Sequence, residues 1–336
     1  MGISRKIHLR SVHLIAAALV LASTLTSCIH DDLTDCFEGI YIRVVPVAQS
    51  NSDPNWMGES TFDDIMLYVF DENQVLLEAR PTEVLKTEHL FYPRTQKLYV
   101  ASAANVGDKV RLTEMVPGRT TLSQVEVALK EADRYLDYNC AANPPDLFSG
   151  QIELANTDTK GITDLPIHRR VAAVMVRVRG LKEYLRAPDS SDDDFAVVFG
   201  AQYRTLNLNG EPAGHTRAAG YPVPYKETGG FRIAPVDDRE YYEAPRQVSG
   251  DKTDFFRVFS SDEGTPVSVS IYYKDQLVAG TTFTRASDGS LLQVKNDLLN
   301  VIEIILGKSS LVIRVKEASW NSVVEVEKDF GNGDGW

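Results

Sequence analysis

Cys28 is the first residue whose chemistry stands out. It closes Leu25-Thr26-Ser27-Cys28, a box with a small residue before the cysteine, where a thiol is acylated and the chain cut ahead of it. Arg5, Lys6 and Arg10 form a basic n-region, and Val12 to Leu25 form an apolar h-region. The h-region is too short for a comfortable membrane span, and no stop-transfer pattern follows it. The expected product is a signal peptide over 1–27 and a mature chain that begins at a lipid-bearing Cys28. At ~0.8 kcal/mol per buried methylene, several palmitate-like chains hold a protein to a bilayer far more firmly than one acyl group.

Other reactive residues give less. Cys36 and Cys140 remain after Cys28. In an exported protein they either pair, clipping the N-terminal arm to the first domain, or stand as separate thiols. His8 and His13 leave with the signal peptide. His30, His89, His168 and His215 are scattered, without His-Glu-x-x-His or Cys-x-x-Cys spacing, so no metal site is expected. His168, beside Arg169 and Arg170, reads as a polar residue at a strand edge. Gly307-Lys308-Ser309 resembles the end of a phosphate loop, but Ile302 stands where a glycine is needed, and the segment reads as a hairpin turn. No Gly-x-Ser-x-Gly elbow occurs. Asp192-Asp193-Asp194 and Asp262-Glu263 lack the spaced ligands of a calcium loop and read as solvated turns. Asn332 to Gly335 reads as a flexible tail. Carboxylates are plentiful, which leaves a glycosidase-like pair open by count, although abundance mostly reflects solvated surface. No cofactor and no small-molecule substrate are expected.

Composition narrows the partners. The formal net charge of −12 becomes −15 once the three basic residues of the signal peptide are gone. Such a surface repels phosphate backbones, which excludes nucleic acid and leaves membrane attachment to the lipid. A mature chain of 309 residues is long enough for two domains.

The elements that would position these residues are short strands. Ile40, Ile42 and Val44 alternate with Tyr41 and Arg43. Residues 65–70 form an apolar run ending at Asp71-Glu72-Asn73, a buried strand entering a hairpin that returns at Val75 to Glu78. Lys97 to Ala104 and Leu147 to Leu154 follow. Thr121 to Gln124 matches a capping box, and Leu122, Val125, Leu129, Ala132 and Leu136 then repeat at helical spacing, predicting a helix. Strands restart at Leu165. Val174, Val176 and Val178 alternate with Met175, Arg177 and Arg179, predicting one buried and one wet face. Val267 to Tyr273, Leu277 to Thr284, Leu298 to Leu306, Leu311 to Val315 and Val323 to Val326 complete the series. Residues 209–252 read as a long surface excursion, and Pro188 to Asp194 as an acidic loop. The expected fold is mainly β, in sandwiches with one or two short helices. The arm covers 28–37, the N-terminal domain 38–165 and the C-terminal domain 166–336.

The ordered features resemble the FimB-type fimbrial anchor subunits, lipoproteins of Bacteroidales at the base of type V fimbriae. Cys28-Ile-His-Asp-Asp-Leu-Thr-Asp-Cys36 resembles the start of the family. Phe62-Asp63-Asp64-Ile65 through Asp71 resembles its first strong strand. Pro145-Asp146-Leu147-Phe148-Ser149-Gly150 resembles its Asp-Leu-Phe-x-Gly segment. Arg169-Arg170-Val171 to Val178 resembles the strand that opens its second domain, and Trp320 its late tryptophan. The resemblance implies two tandem transthyretin-like β-sandwich domains. It also implies a role holding a fimbria to the outer membrane and limiting its length, with a fimbrial stalk subunit as partner and no enzymatic activity. Asp31 and Asp32 resemble a surface-export signal of Bacteroidetes lipoproteins, implying an outer-membrane protein exposed on the cell surface. Of the site residues, only Cys28 carries over, as the lipid attachment point.

Assembly through β-strand complementation follows from the strand physics, because an open sheet edge accepts a strand from another chain. The C-terminal segment Val323 to Lys328 is one candidate for such exchange, and an ordinary internal strand is the other reading. Two competing functions share these features. One is a surface glycan-binding lipoprotein of a polysaccharide-uptake system, with Tyr221, Tyr225, Tyr241 and Tyr242 stacking on sugars. The other is a fimbrial tip adhesin.

Overall fold

Ile40, Ile42 and Val44 alternate with Tyr41 and Arg43, and in the computed structural model the first three are fully buried. They lie on β1 (Ile40–Val47). The structure describes residues 39–47, 62–131, 140–155, 161–201, 203–213, 219–223, 231–234, 256–261, 264–284, 291, 293–296, 298–306, 311–319 and 326–330. The first half continues with β2 (Met66–Phe70), β3 (Leu76–Pro81), β4 (Thr87–Leu90), β5 (Lys97–Ala104), β6 (Val110–Leu112), β7 (Val127–Leu129), β8 (Phe148–Ala155) and β9 (Ile162–Arg169). Seven of these form one sheet in the order β3-β2-β5-β8-β9-β1-β4. Its pairs are antiparallel except for β1 and β9, which run parallel from Tyr41↔Ile162 to Val47↔His168.

β2 shows why residues 65–70 read as one unbroken apolar run. Leu67 and Val69 pack into a core with Ile42, Val44, Leu98, Val100 and Leu165. Tyr68 and Phe70, on the opposite face, pack into a second core with Ala101, Ala103 and Val127. A strand covered on both faces has no place for alternation. Burial there also pushes the Tyr68 phenol up to about 12.

The second half supplies β10 (Val171–Arg179), the short helix α1 (Leu181–Tyr184), β11 (Phe195–Ala201), β12 (Thr205–Leu206), β13 (Ala219–Pro222), β14 (Phe231–Ala234), β15 (Phe256–Phe259), β16 (Val267–Tyr273), β17 (Gln276–Phe283), β18 (Leu298–Leu306), β19 (Leu311–Ser319) and β20 (Val326–Phe330). One sheet has the order β14-β10-β18-β19-β20, with β15 also paired to β10. A four-stranded sheet runs β13-β11-β16-β17. Val174 and Val176 of β10, Phe199 of β11 and Val269 of β16 share the second core, so side chains of both sheets meet inside. A three-stranded sheet, β12-β7-β6, takes β6 and β7 from the first half and β12 from the second. The chain is mainly β with one short α-helix among the described residues, as expected. Residue 165 falls within β9, and the chain passes from the first sheet to the second at Arg169 and Arg170.

Three sequence expectations need correction. The helix after Thr121 stops after a single 3-10 turn, Leu122–Gln124, in which the Gln124 side chain accepts from the Thr121 N–H at 3.0 Å. The chain then extends, because Val127–Leu129 gains backbone hydrogen bonds on two sides, from β6 and from β12. Ala132 and Leu136 lie outside the described residues. The wet face expected for β10 is absent. The strand is central in its sheet, and Arg179 is buried with its guanidinium 3.6 Å from the buried Glu303 of β18. A charge at alternate positions marks a wet face only when no buried counter-charge meets it. Finally, the supposed excursion 209–252 contains β13 and β14, paired to β11 and β10. Tyr221 of β13 is fully buried, which removes it as a sugar-stacking residue. Its phenol accepts from the Phe259 N–H at 3.4 Å, and burial holds its pKa well above the ordinary tyrosine value. Tyr225, Tyr241 and Tyr242 lie outside the described residues.

Candidate functional site

Sheet edges are where this fold can meet another chain, because an edge strand leaves backbone donors and acceptors open. The first sheet hides its two edges against each other. Side chains of β3 and of the segment before β4 reach across to β4 and the residues after it. Arg80 donates to the His89 carbonyl at 3.1 Å and lies 3.4 Å from Glu88. Thr82 donates its hydroxyl to Glu88 at 2.8 Å, and Lys86 lies 3.1 Å from the same carboxylate. The Tyr92 hydroxyl donates to Glu78. Burial raises the Glu88 pKa, but the hydrogen bonds from Thr82 and Lys86 and the charges of Lys86 and Arg80 outweigh it, leaving the carboxyl below its usual range. Tyr92 moves the other way, held well above an ordinary phenol by burial and by the bond to Glu78.

β17 is different. It is the last strand of its sheet, held on one side by β16 from Val267↔Phe283 to Tyr273↔Gln276. Its sequence, Gln-Leu-Val-Ala-Gly-Thr-Thr-Phe, contains no charge and no proline. Leu277 is 58% exposed. The other edges carry the usual protections. β13 is short and ends in Pro222, β20 has Glu327, Lys328 and Asp329 among its five residues, and β14 has four residues. Among the described residues, β17 is the edge that combines eight-residue length with an uncharged backbone register, which is what an added strand needs.

The Asp-Leu-Phe-Ser-Gly segment serves the scaffold. Asp146 accepts two hydrogen bonds from Arg169, at 2.7 Å and 3.0 Å, and the guanidinium lies 5.2 Å from the centre of the Phe148 ring. The Asp146 carbonyl accepts from Asn105, whose side-chain oxygen accepts from the Asp63 N–H at 2.7 Å. Arg170 donates to the Ser149 hydroxyl and carbonyl and to the Leu208 carbonyl, and Ser149 donates to that same carbonyl at 2.7 Å. Gly150 allows β8 to approach β9, since a Cβ there would lie 2.0 Å from the Pro166 carbonyl oxygen. These residues tie the first sheet to the loop after β12. Arg257, nearby, is pushed below the ordinary arginine value by burial, with Asp146 pulling it up and Arg169 pushing it down.

Cys28 and Cys36 lie outside the described residues. Cys140 is buried and forms an isolated parallel bridge with Gly220. His89 lies on β4 and His168 on β9, opposite Ser149; His30 and His215 lie outside the described residues. Among the described residues no three His, Cys, Asp or Glu side chains gather to hold a metal ion. A cavity of about 350 Å³ opens beside β7, with Arg111, Lys130, Arg204 and Glu131 in its lining and the Arg204 guanidinium 3.6 Å from the Glu131 carboxylate. Leu306 of β18 pairs with Leu311 of β19; Gly307-Lys308-Ser309 lie outside the described residues. No helix among the described residues is long and apolar enough to cross a membrane. The edge position of β17 escaped the sequence because strand order is not a local property. Its one legible signal was a charge-free stretch between Asp275 and Arg285.

Comparison with known proteins adds the family. A family model described as fimbrillin-A associated anchor proteins Mfa1 and Mfa2 matches residues 33–325. Among solved structures, the fimbrial anchor protein Mfa2 from Porphyromonas gingivalis aligns with a TM-score of 0.52 and 15% identity, covering 85% of this chain and 98% of that one. A candidate polysaccharide-binding protein from Bacteroides thetaiotaomicron aligns with a TM-score of 0.54 and 15% identity, covering 85% and 98%. A candidate adhesin from Bacteroides ovatus gives 0.52 and 14%, covering 86% and 94%. At these identities the structural likeness speaks for the fold alone. No curated protein matches in sequence.

Proposed function

Because the chain belongs to the family of fimbrillin-A associated anchor proteins, we propose that it is the lipid-held base of a fimbria and takes a stalk subunit's strand on the open edge of β17. The family is a structural one associated with the cell surface. The lipid on Cys28 would hold the chain to the outer membrane, and the folded part would hold the filament and limit its length. The observation that carries the assembly step is the uncharged eight-residue edge of β17, beside protected edges elsewhere among the described residues. An incoming strand would gain main-chain hydrogen bonds along β17 and cover Leu277. β20 is the reciprocal candidate, lying last in its sheet and close to the C-terminus.

The test is a pair of charges on exposed positions of β17, Leu277→Lys and Thr282→Lys, in cells that make the fimbria. The expected result is shed filaments with the anchor still surface-bound. Normal cell-bound filaments would exclude β17 as the acceptor. Replacement of Cys28 by alanine should abolish palmitate incorporation and release the protein from the membrane fraction; unchanged retention would refute lipid anchoring.

A further inference from the structure

The outer face of β9, β1 and β4 is unlike the rest of this acidic protein. Tyr41 stands opposite His89 of β4 on one side and Ile162 of β9 on the other, making a row across three strands. The Tyr41 and His89 rings stack with centroids 4.8 Å apart, and Phe91 lies 6.2 Å beyond His89. Tyr41 is 38% exposed, Phe91 54%, Ile162 53%, and Leu85, just ahead of β4, 53%. Four of the exposed large apolar side chains therefore lie on these three strands or at their ends. Arg43 and Asp164, next along the row, neutralise each other at 2.8 Å. A chain with a formal charge of −12 thus presents here a face with aromatic and aliphatic groups and a self-cancelled ion pair.

The point where the chain enters the sheet bears on what could meet this face. β1 begins at Ile40, one residue before Tyr41, and a Cβ on Gly39 would lie 2.5 Å from the His89 ring. The arm therefore joins the sheet at the edge of the row. Ten residues lie between Cys28 and Gly39, so eleven chain steps join them. Fully extended, they reach at most about 40 Å, so a lipid on Cys28 keeps the row within a short tether of the bilayer and raises its effective concentration there. Aromatic residues that are part polar and part apolar favour the membrane–water interface, and the lack of net charge avoids repulsion by anionic headgroups.

We propose that the Tyr41–His89–Phe91–Ile162 face rests on the lipid surface and fixes the orientation of the protein on the membrane. This rests on the lipid-anchor reading for its biological setting, and the test separates the two. Residues 29–336, carrying Cys36→Ser and an N-terminal hexahistidine in place of the lipid, are tethered to phosphatidylcholine vesicles that contain nickel-chelating lipid. A polarity-sensitive fluorophore is placed at Ile162→Cys or, as control, at the equally exposed Leu277→Cys on β17. The expected result is a blue shift and quenching by nitroxide-labelled lipid at 162, with neither at 277. Adding Tyr41→Ser and Phe91→Ser should at least halve the response at 162. Equal behaviour at 162 and 277, or a response indifferent to Tyr41→Ser and Phe91→Ser, would overturn the proposal. Flotation of the natural full-length protein with membranes reads lipid anchoring separately. Failure there with a response at 162 would refute the anchor and keep the face.

Discussion

Asp146 and Arg169 are joined by two hydrogen bonds, and the arginine side chain is only 3% exposed. The pair links the residue that leads into β8 with the last residue of β9. Arg170, the next residue, turns to Ser149 and Leu208. Two consecutive arginines therefore face different partners: Arg169 holds the residue ahead of β8, and Arg170 joins Ser149 of β8 to the loop after β12. This explains why an Asp-Leu-Phe-Ser-Gly segment and an Arg-Arg pair occur together in the chain.

Removal of the carboxylate should expose the cost of that arrangement. Asp146→Ala leaves Arg169 buried without its counter-charge, and about 3 kcal/mol of stability should be lost. Arg43→Ala breaks an ion pair whose side chains are 37% and 49% exposed and should cost less than about 1 kcal/mol. Urea denaturation of both variants checks the difference. Equal losses would show that the buried Asp146–Arg169 pair contributes no more than the exposed one.

Gly150 makes a steric prediction. Gly150→Ala sets a methyl group against backbone, 2.0 Å from the Pro166 oxygen, so β8 and β9 must separate. A loss of about 1–3 kcal/mol or more is expected. Gly161→Ala meets nothing within 4 Å and should leave the melting temperature nearly unchanged. Thermal unfolding of the two variants decides the point.

Most strands were legible because their periodicity was local. Lys97–Ala104 and Leu298–Leu306 have the bounds read from the sequence, and Val267–Tyr273 keeps its alternation. The helix after Thr121 failed because the apolar spacing at 122, 125 and 129 also suits a chain that turns once and then extends between two neighbours. β10 failed for a related reason, since Glu303, which covers Arg179, lies more than a hundred residues away. β13 and β14 carry too little apolar pattern in Ala-Gly-Tyr-Pro and Phe-Arg-Ile-Ala to be read alone; their pairing with β11 and β10 defines them. The candidate edge is the least local feature of all, because a strand becomes an edge only when the sheet order is known.

Glu88 should make the closure of the first sheet sensitive to acid. Its carboxyl is held below the unfolded value, so the folded state binds a proton less readily than the unfolded chain. The resulting stability is full above the unfolded pKa, roughly 4.3, and is lost as pH falls through the lower folded value. Glu88→Gln should lower stability at pH 7 and flatten its decline below about pH 5. Denaturation midpoints across that range test this; parallel curves for the two proteins would show that Glu88 is not the coupled group.

The C-terminal strand gives a last prediction. β19 pairs with β18 over nine residues, from Leu298↔Ser319 to Leu306↔Leu311, and with β20 over five, from Ile313↔Phe330 to Glu317↔Val326. Deletion of residues 322–336 would remove β20 and turn β19 into an edge. That edge would read Leu-Val-Ile-Arg-Val-Lys-Glu-Ala-Ser, with three charges in nine residues, whereas the β20 sequence has three in five. Charged edges discourage strand addition, and apolar ones invite it. The truncated chain should therefore self-associate, and a synthetic peptide of residues 322–336 should bind it and restore the monomer. Sedimentation velocity reads both effects. A truncated chain that stays monomeric and does not bind the peptide would show that β20 neither guards β19 nor can exchange in trans.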